Sequence, residues 1–208
     1  AILTQKLHEA IDKKILVLHY QPQIKSKDGI NSIIGLEALI RWKDSQKGMI
    51  SPADFIPLAE ETGLIIPLGT WILEEVIKKI KELEKHDIKK DWRISVNISY
   101  KQFEKDDFLE KIEYLLQKYQ INSSRLRLEL TEGLLIKNTQ TNLKKIEDIN
   151  NLGVTLSIDD FGTGYSSLSY LKHLSISELK IDQSFVRDIL SDINDAIIVE
   201  TMISIGNK

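Results

Sequence analysis

Hydrophobic and polar positions follow two alternating patterns along the chain. In the first, apolar residues recur about every three or four positions, as one face of a helix requires. In the second, short apolar runs lie between polar or glycine-containing segments, which is typical of strands. The patterns predict helices at 4–13, 51–63, 67–83, 108–119, 143–152, 168–173 and 196–205, and strands at 15–20, 32–40, 92–98, 125–130, 154–158 and 178–182.

Turn and capping residues mark several of these boundaries. We expect Pro22 to stop the first strand, because proline has no N–H to donate to a sheet. Asp28 and Gly29 follow as a hairpin signal, so the first two strands are predicted to pair antiparallel. Ser51 is a typical residue at the start of a helix, and Gly63 is a typical residue at its end.

After the hairpin, strands and helices alternate, which predicts an α/β fold with a largely parallel sheet. In such folds ligands bind at the carboxyl ends of the strands. Polar side chains occupy the predicted strand ends in this sequence. These residues are Glu37, Asn97, Glu129, Asp159, Asp160 and Lys180.

Five of these six side chains offer oxygen ligands, four as carboxylates and one as an amide. Charged groups are rarely buried without partners, so their repetition favours a metal centre over separate caps or ion pairs. Oxygen ligands favour Mg²⁺ or Mn²⁺ over Zn²⁺. The adjacent Asp159 and Asp160 could serve two ions, and a two-metal site polarises phosphoryl groups. Taken alone, this pair is equally consistent with a polar strand-to-helix turn.

Two basic residues are candidates for contact with phosphate. Lys180 lies between Leu179 and Ile181 in a predicted strand, where lysine is less usual than on a surface loop. It could orient an attacking water or neutralise phosphate charge, and the alternative is a surface lysine. Arg41 could form a bidentate pair with phosphate, and an ion pair with a nearby acid is equally consistent with the local sequence.

Composition narrows the classes of function. The chain has 208 residues, of which 42% are hydrophobic and 28% charged, with a formal net charge of -3. Lysine and arginine are spread along the chain, so we expect no nucleic-acid polymer as a partner. The absence of cysteine excludes disulfides and thiolate metal ligands. No apolar run reaches the length of a membrane span, so we expect a cytoplasmic domain without membrane contact.

Long motifs in this sequence resemble those of EAL domains, which are bacterial cyclic di-GMP phosphodiesterases. The similarity runs over essentially the whole chain and includes Tyr20-Gln21-Pro22. The motifs, in the family's order, are Glu37-Ala38-Leu39 with Arg41, Val96-Asn97-Ile98-Ser99, Glu129-Leu130-Thr131-Glu132, Asp159-Asp160-Phe161-Gly162-Thr163-Gly164-Tyr165-Ser166-Ser167 and Leu179-Lys180-Ile181-Asp182.

The resemblance implies a TIM-like (β/α)8 barrel whose first strand is antiparallel to the others. It implies metal-dependent hydrolysis of cyclic di-GMP to linear pGpG. One metal ion would be bound by Glu37, Asn97, Glu129 and Asp159. A second ion would be served by Asp159 and Asp160.

The resemblance also implies roles outside the metal ligands. Lys180 would assist the attacking water, and Glu37 would join it in catalysis. Gln21 and Arg41 would face the dinucleotide. Glu132 would steady the loop after Asp160, a loop that in the family also bears on dimerisation. A homodimer and a sensory or GGDEF-type domain are the further partners that the resemblance suggests.

We expect residues 1–208 to form a single EAL-type domain that is truncated at its C-terminus. Six strands are predicted, whereas a complete barrel has eight. The family's last two strands carry Glu-Gly-Val-Glu and Gln-Gly-Tyr motifs, which this sequence does not contain. The second metal site would then be incomplete. The alternative function is a catalytically incomplete EAL domain that acts as a cyclic di-GMP receptor or a protein-interaction module.

Overall fold

The structure is a computed structural model, and it describes residues 2–13, 15–44, 48–86, 91–136, 140–162 and 175–206. The helix predicted at 168–173 lies outside these residues. The chain divides into two compact units, Ala1–Arg127 and Leu128–Lys208. We call them the N-terminal unit and the C-terminal unit and describe each by itself.

The N-terminal unit contains a helix, a hairpin with a short third strand, and then helices around a further strand. A turn of 3-10 helix at Ser123–Arg125 leads into β5, the strand in which the division between the units falls. The elements are α1 (Ile2–Asp12), β1 (Leu16–Lys27), β2 (Ile30–Asp44), β3 (Gly48–Ile50), α2 (Pro52–Thr62), α3 (Ile65–Lys85), β4 (Arg93–Ile98), α4 (Tyr100–Phe103), α5 (Phe108–Tyr119) and β5 (Leu126–Thr131).

The C-terminal unit continues the alternation of helices and strands. In it, β6 pairs with β7 in parallel, with Ile158 opposite Leu179. Its elements after β5 are α6 (Glu132–Ile136), α7 (Gln140–Asn151), β6 (Thr155–Phe161), β7 (Glu178–Ile181), α8 (Gln183–Arg187) and α9 (Ile193–Gly206).

The antiparallel hairpin of β1 and β2 is confirmed. Asp28 and Gly29 form its turn with φ values of 52° and 77°, the left-handed conformation that a two-residue hairpin turn needs. The expectation that Pro22 stops the first strand is wrong, because β1 continues to Lys27. In the described part of the chain β1 pairs only with β2, and an edge strand tolerates a proline.

The parallel pairing predicted after the hairpin is also confirmed. Strand β2 pairs with β4 in parallel, with Gly35 opposite Arg93 and Glu37 opposite Ser95. The α/β fold class is therefore as the sequence predicts. The described residues contain seven strands, one more than predicted, because the three-residue β3 carries too few residues to show a pattern.

Capping residues define α2 as predicted. The Ser51 hydroxyl accepts a hydrogen bond from the Ala53 N–H at 3.3 Å. Gly63 ends the helix with φ of 79°, which glycine adopts without strain. The next helix, α3, begins at Ile65, slightly before the predicted position.

Each unit has its own apolar core. In the N-terminal unit, Trp42 is 1% exposed and packs edge-on against Phe55, with ring centroids 5.5 Å apart. In the C-terminal unit, Ile158, Phe161 and Met202 pack together with partly buried residues of β7 and α8. Among the described residues, no helix is both long enough and apolar enough to span a membrane.

Candidate active site

In the N-terminal unit, the parallel pairing of β2 and β4 brings Glu37 and Asn97 together. Glu37 lies opposite Ser95, and Asn97 follows two residues later on the same face. The Asn97 side-chain amide donates a hydrogen bond to Glu37 Oε1 at 3.1 Å. Glu37 does not end its strand as predicted, because β2 continues to Asp44, but it lies where the pairing with β4 ends.

The hairpin places both predicted substrate-binding residues on the face of Glu37. Gln21 lies directly opposite Glu37 in the register of β1 and β2. Arg41 lies four residues after Glu37 in β2, and alternate residues of a strand share one face. The Arg41 guanidinium donates to the Ile40 carbonyl at 2.8 Å. These side chains therefore line one surface of the hairpin.

In the C-terminal unit, Lys180 lies between two carboxylates. Its ammonium group is 2.7 Å from Glu129 Oε2 and 3.0 Å from Asp159 Oδ2. The Glu129 side chain is fully buried, and a buried carboxylate requires an opposite charge. Lys180 is therefore a partly buried counter-ion to Glu129 and Asp159 rather than an unpaired surface lysine.

The two aspartates lie inside β6, which ends at Phe161 rather than at Ile158 as predicted. The register of β6 against β7 shifts between Ile158 and Phe161, so the pair occupies an irregularity of the strand. Asp160 has a left-handed backbone with φ of 53°, and its N–H donates to Asp159 Oδ1 at 3.0 Å. Irregularities of this kind redirect side chains next to active sites.

The pKa values of two neighbouring carboxyls move in opposite directions. Burial raises the pKa of Asp160, and the negative charge of Asp159 raises it further. The pKa of Asp182 is lowered, chiefly because its side chain accepts hydrogen bonds from the hydroxyl and the N–H of Ser184. The neighbouring Asp160 carboxyl lowers the pKa of Asp182 further.

Asp182 ends the Leu179–Asp182 motif and lies near the site, although the sequence alone gives it no role. It caps the start of α8, where its carboxylate accepts a hydrogen bond from the Ser184 N–H at 2.8 Å. Aspartate is a preferred residue directly before a helix, so the sequence could have indicated this cap.

Glu132 contacts the backbone that follows the two aspartates. It is the first residue of α6 and is 2% exposed. Its Oε2 atom accepts a hydrogen bond from the Gly162 N–H at 2.8 Å. Gly162 has φ of 101°, a conformation that few other residues adopt. Residues 163–174, which complete the predicted loop motif, lie outside the described residues.

The donor chemistry of both units fits a hard divalent cation. Glu129 and Asp159 already share one positive charge, that of Lys180, so both carboxylates face a common cationic position. Glu37 and Asn97 add a carboxylate and an amide that contact each other. Oxygen donors of this kind suit Mg²⁺ or Mn²⁺.

Comparison with known proteins identifies the family. The EAL domain family model matches residues 4–208, so the chain belongs to the EAL domain family. It is 41% identical over 204 residues to the bifunctional diguanylate cyclase/cyclic di-GMP phosphodiesterase MucR of Pseudomonas aeruginosa, covering 98% of this chain and 29% of MucR. It is 40% identical over 187 residues to the cyclic di-GMP phosphodiesterase PdeR of Escherichia coli, covering 90% of this chain and 28% of PdeR. The chain thus spans less than a third of these relatives.

Solved structures give the same family. The PaMucR phosphodiesterase in complex with c-di-GMP matches 100% of this chain and 83% of its own, with a TM-score of 0.94 and 40% identity. The EAL enzyme Bd1971 in its cGMP-bound form matches 99% of this chain and 56% of its own, with a TM-score of 0.91 and 35% identity. The resemblance inferred from the motifs is confirmed.

Proposed function

We propose that this domain hydrolyses one phosphodiester bond of cyclic di-GMP to give linear pGpG. Two relatives are named as cyclic di-GMP phosphodiesterases, and a solved relative is a complex with c-di-GMP. The structural observation that carries the proposal is the contact of Lys180 with Glu129 and Asp159. That contact gathers one cation and two oxygen donors beside the irregular end of β6.

We propose that the carboxylates and the amide of the strand motifs hold Mg²⁺ or Mn²⁺. When bound, such ions polarise a phosphoryl group and lower the pKa of a coordinated water. The proposed ligands of one ion are Glu37, Asn97, Glu129 and Asp159, and those of a second are Asp159 and Asp160. Glu37 is also proposed as a catalytic residue.

The remaining residues of the proposal bind and orient. The Lys180 ammonium would hold the attacking water by a hydrogen bond and offset phosphate charge. Gln21 and Arg41 share the hairpin surface with Glu37, and a guanidinium matches phosphate geometry. Glu132 would hold the backbone after Asp160 through its hydrogen bond to Gly162.

We also propose the setting of the domain. MucR and PdeR are each more than three times as long as the matched region, so we expect a sensory or GGDEF-type domain in the same protein. We propose that residues 1–208 form one EAL-type domain that acts in the cytoplasm and associates as a homodimer.

Chromatography of cyclic di-GMP incubated with the protein and excess Mg²⁺ or Mn²⁺ tests the proposal. We expect pGpG as the product, and Asp159→Asn should lower the rate by about a thousandfold, because it removes a charged donor without changing shape. The matched control is Asp195→Asn on α9, which should leave the rate unchanged. The assay is run on this chain and on a longer form that contains the two further strand motifs.

Other outcomes of this assay would change the proposal. Binding of cyclic di-GMP without any pGpG from either form would show a receptor rather than an enzyme. Equal rates for Asp159→Asn and Asp195→Asn would show that the proposed metal ligand Asp159 takes no part in the reaction.

A further inference from the structure

A cavity of about 600 Å³ lies in the N-terminal unit, away from the strand residues proposed for catalysis. It is formed by the outer part of the hairpin, the segment that starts β4, and the start of β5. Its lining includes Lys25, Asp91, Trp92, Arg93 and Arg127. The volume is within the range of pockets that bind small molecules.

The cavity lies at the opposite end of the strands from Glu37 and Asn97. Arg93 is the first residue of β4, and Asn97 is the fifth. Four residues of strand span about 13 Å. Because β2 runs parallel to β4 with Gly35 opposite Arg93, the cavity lies at the amino ends of both strands. A ligand there would not overlap the proposed metal ligands of this unit.

The charge of the lining favours an anion. The lining has three cationic side chains and one carboxylate, in a chain whose formal net charge is -3. Arg127 is 4% exposed, so its side chain is packed within the unit. The Arg93 Nε atom donates to the Ser124 carbonyl at 3.3 Å, which uses one of its five N–H donors and orients the group. Guanidinium groups suit the oxygens of a phosphate, and two of them line this cavity.

The aromatic part of the lining favours a planar ring on the same ligand. Trp92 is half-buried, and Ile33 and Ile34 add apolar surface to the cavity. The Trp92 carbonyl accepts a hydrogen bond from Arg125 Nε at 3.1 Å, which fixes the backbone that carries the indole. Planar bases stack on indole rings, and cationic side chains beside them bind the attached phosphate.

We propose that this cavity is a second ligand site, which binds a phosphate-bearing molecule with a planar ring, the chemistry of a mononucleotide. The site does not depend on hydrolysis of cyclic di-GMP. Arg93 and Arg127 would contact the phosphate, Trp92 would contact the ring, and Lys25 would add charge at the rim. Together with the proposed binding of cyclic di-GMP, the domain would then bind a nucleotide at each end of β4.

Nuclear magnetic resonance of the three tryptophan indole N–H groups tests this site directly. The Trp92 signal is assigned by its loss in Trp92→Phe. The probes are GMP and pyrophosphate, added in EDTA to a chain that carries Asp159→Asn, so that phosphate binding by a metal ion is removed. We expect GMP to shift the Trp92 signal while the signals of Trp42 and Trp71 stay in place, and pyrophosphate to compete with GMP.

Substitutions of charged residues then distinguish a specific binding site from unspecific attraction of anions to the surface. Arg93→Gln should weaken GMP binding by about tenfold, and the exposed Lys25→Gln by about threefold. The matched control is Lys27→Gln, the same substitution two residues further along β1 and outside the lining. Thermal unfolding checks that each variant is folded. Lys25→Gln lies at an exposed strand position, so its result stands even where Arg93→Gln unfolds.

Three results would overturn the proposal. The first is no shift of the Trp92 signal with either probe. The second is equal weakening by Lys25→Gln and Lys27→Gln, which would indicate unspecific attraction of anions. The third is that GMP binds no more tightly than pyrophosphate, which would show that the site does not recognise a planar ring. Because the test uses a chain without Asp159, its failure would leave the proposed hydrolysis standing.

Discussion

The two units hold their polar strand residues by different interactions. In the N-terminal unit, the half-buried Glu37 accepts a hydrogen bond from the neutral amide of Asn97. In the C-terminal unit, the buried Glu129 and its neighbour Asp159 share the ammonium of Lys180. The first arrangement leaves the carboxylate in contact with solvent, whereas the second replaces solvent with a fixed positive charge. Removing the partner should therefore cost much more in the second unit than in the first.

Lys180→Met should give the largest effect on stability. It removes the ammonium group that pairs with the buried Glu129, which should lower the free energy of unfolding by about 3 kcal/mol. Urea denaturation in EDTA measures the loss. Mn²⁺ should restore part of it if the carboxylates bind the ion.

The control for Lys180→Met is Lys78→Met on α3. Lys78 pairs with Glu75 at 2.7 Å on an exposed helix face, so its removal should change the free energy of unfolding by less than about 0.5 kcal/mol. Equal losses for the two lysines would show that burial does not distinguish them.

Gly162→Ala should give the second largest loss of stability. Its matched comparison is Gly63→Ala. Both glycines have left-handed backbones, with φ of 101° and 79°. A Cβ on Gly162 would lie 2.0 Å from Met202 Cε, whereas a Cβ on Gly63 would meet nothing within 4 Å. We expect losses of about 2 kcal/mol in the C-terminal unit and about 1 kcal/mol in the N-terminal unit.

Urea denaturation measures both glycine variants, and a second substitution separates the causes. Met202→Ala removes the nearest atom that a Cβ on Gly162 would meet and leaves Phe185 Cε2, which would lie 3.1 Å away. Adding Gly162→Ala to that background should then cost no more than Gly63→Ala costs in the unchanged chain. A cost that stays as high would mean that the Met202 contact does not add to backbone strain.

Asn97→Ala should have a small effect on stability. It removes one hydrogen bond to a half-buried carboxylate, which is worth about 1 kcal/mol or less. Urea denaturation in EDTA is the measurement, with Lys180→Met as the comparison. A loss as large as that of Lys180→Met would mean that Glu37 depends on Asn97 as fully as Glu129 depends on Lys180.

The smallest expected effects depend on pH and have opposite signs at Asp160 and Asp182. The raised pKa of Asp160 contributes stability below the ordinary value of 3.8, which is lost as pH rises through the raised pKa. The lowered pKa of Asp182 contributes stability above that value, which is lost as pH falls through the lowered pKa.

Stability measured against pH in EDTA tests this pair. Asp160→Asn should make the chain slightly more stable at neutral pH, by less than about 1 kcal/mol, and should have no effect below 3.8. Asp182→Asn should make it less stable at neutral pH, and the loss should vanish as pH falls through the lowered pKa. Shifts of the same sign in both variants would contradict the assignment.

Local signals in the sequence predict local structure well. Asp28-Gly29 forms the hairpin turn, and Ser51 and Gly63 bound α2, because each acts within a few residues of itself. Pro22 gives a wrong end for the first strand. A missing N–H interrupts a strand only where a second strand would pair with that N–H. The position of Asp159 misleads as well, since pairing with β7 continues the strand past the apolar run.

The residue types of the candidate site can be read from the sequence, but its contacts cannot. The ion pair of Lys180 with Glu129 joins residues 51 positions apart, and it depends on the register of separate strands. Short elements are also hard to predict from the sequence, because they contain too few residues to show a repeat. Helix α6 has five residues, too few for a helical repeat, although it positions Glu132. The cavity beside Arg93 depends on how the hairpin meets β4, which no single motif encodes.

The ion pairs of Lys180 also bear on how new members of such a family can arise. Glu129 and Asp159 share the positive charge of a residue of their own chain, Lys180. A lineage that lost the ability to bind metal would therefore keep a counter-ion for its buried carboxylate, and with it an intact scaffold. Loss of turnover need not bring loss of folding, so selection could retain the domain for another use.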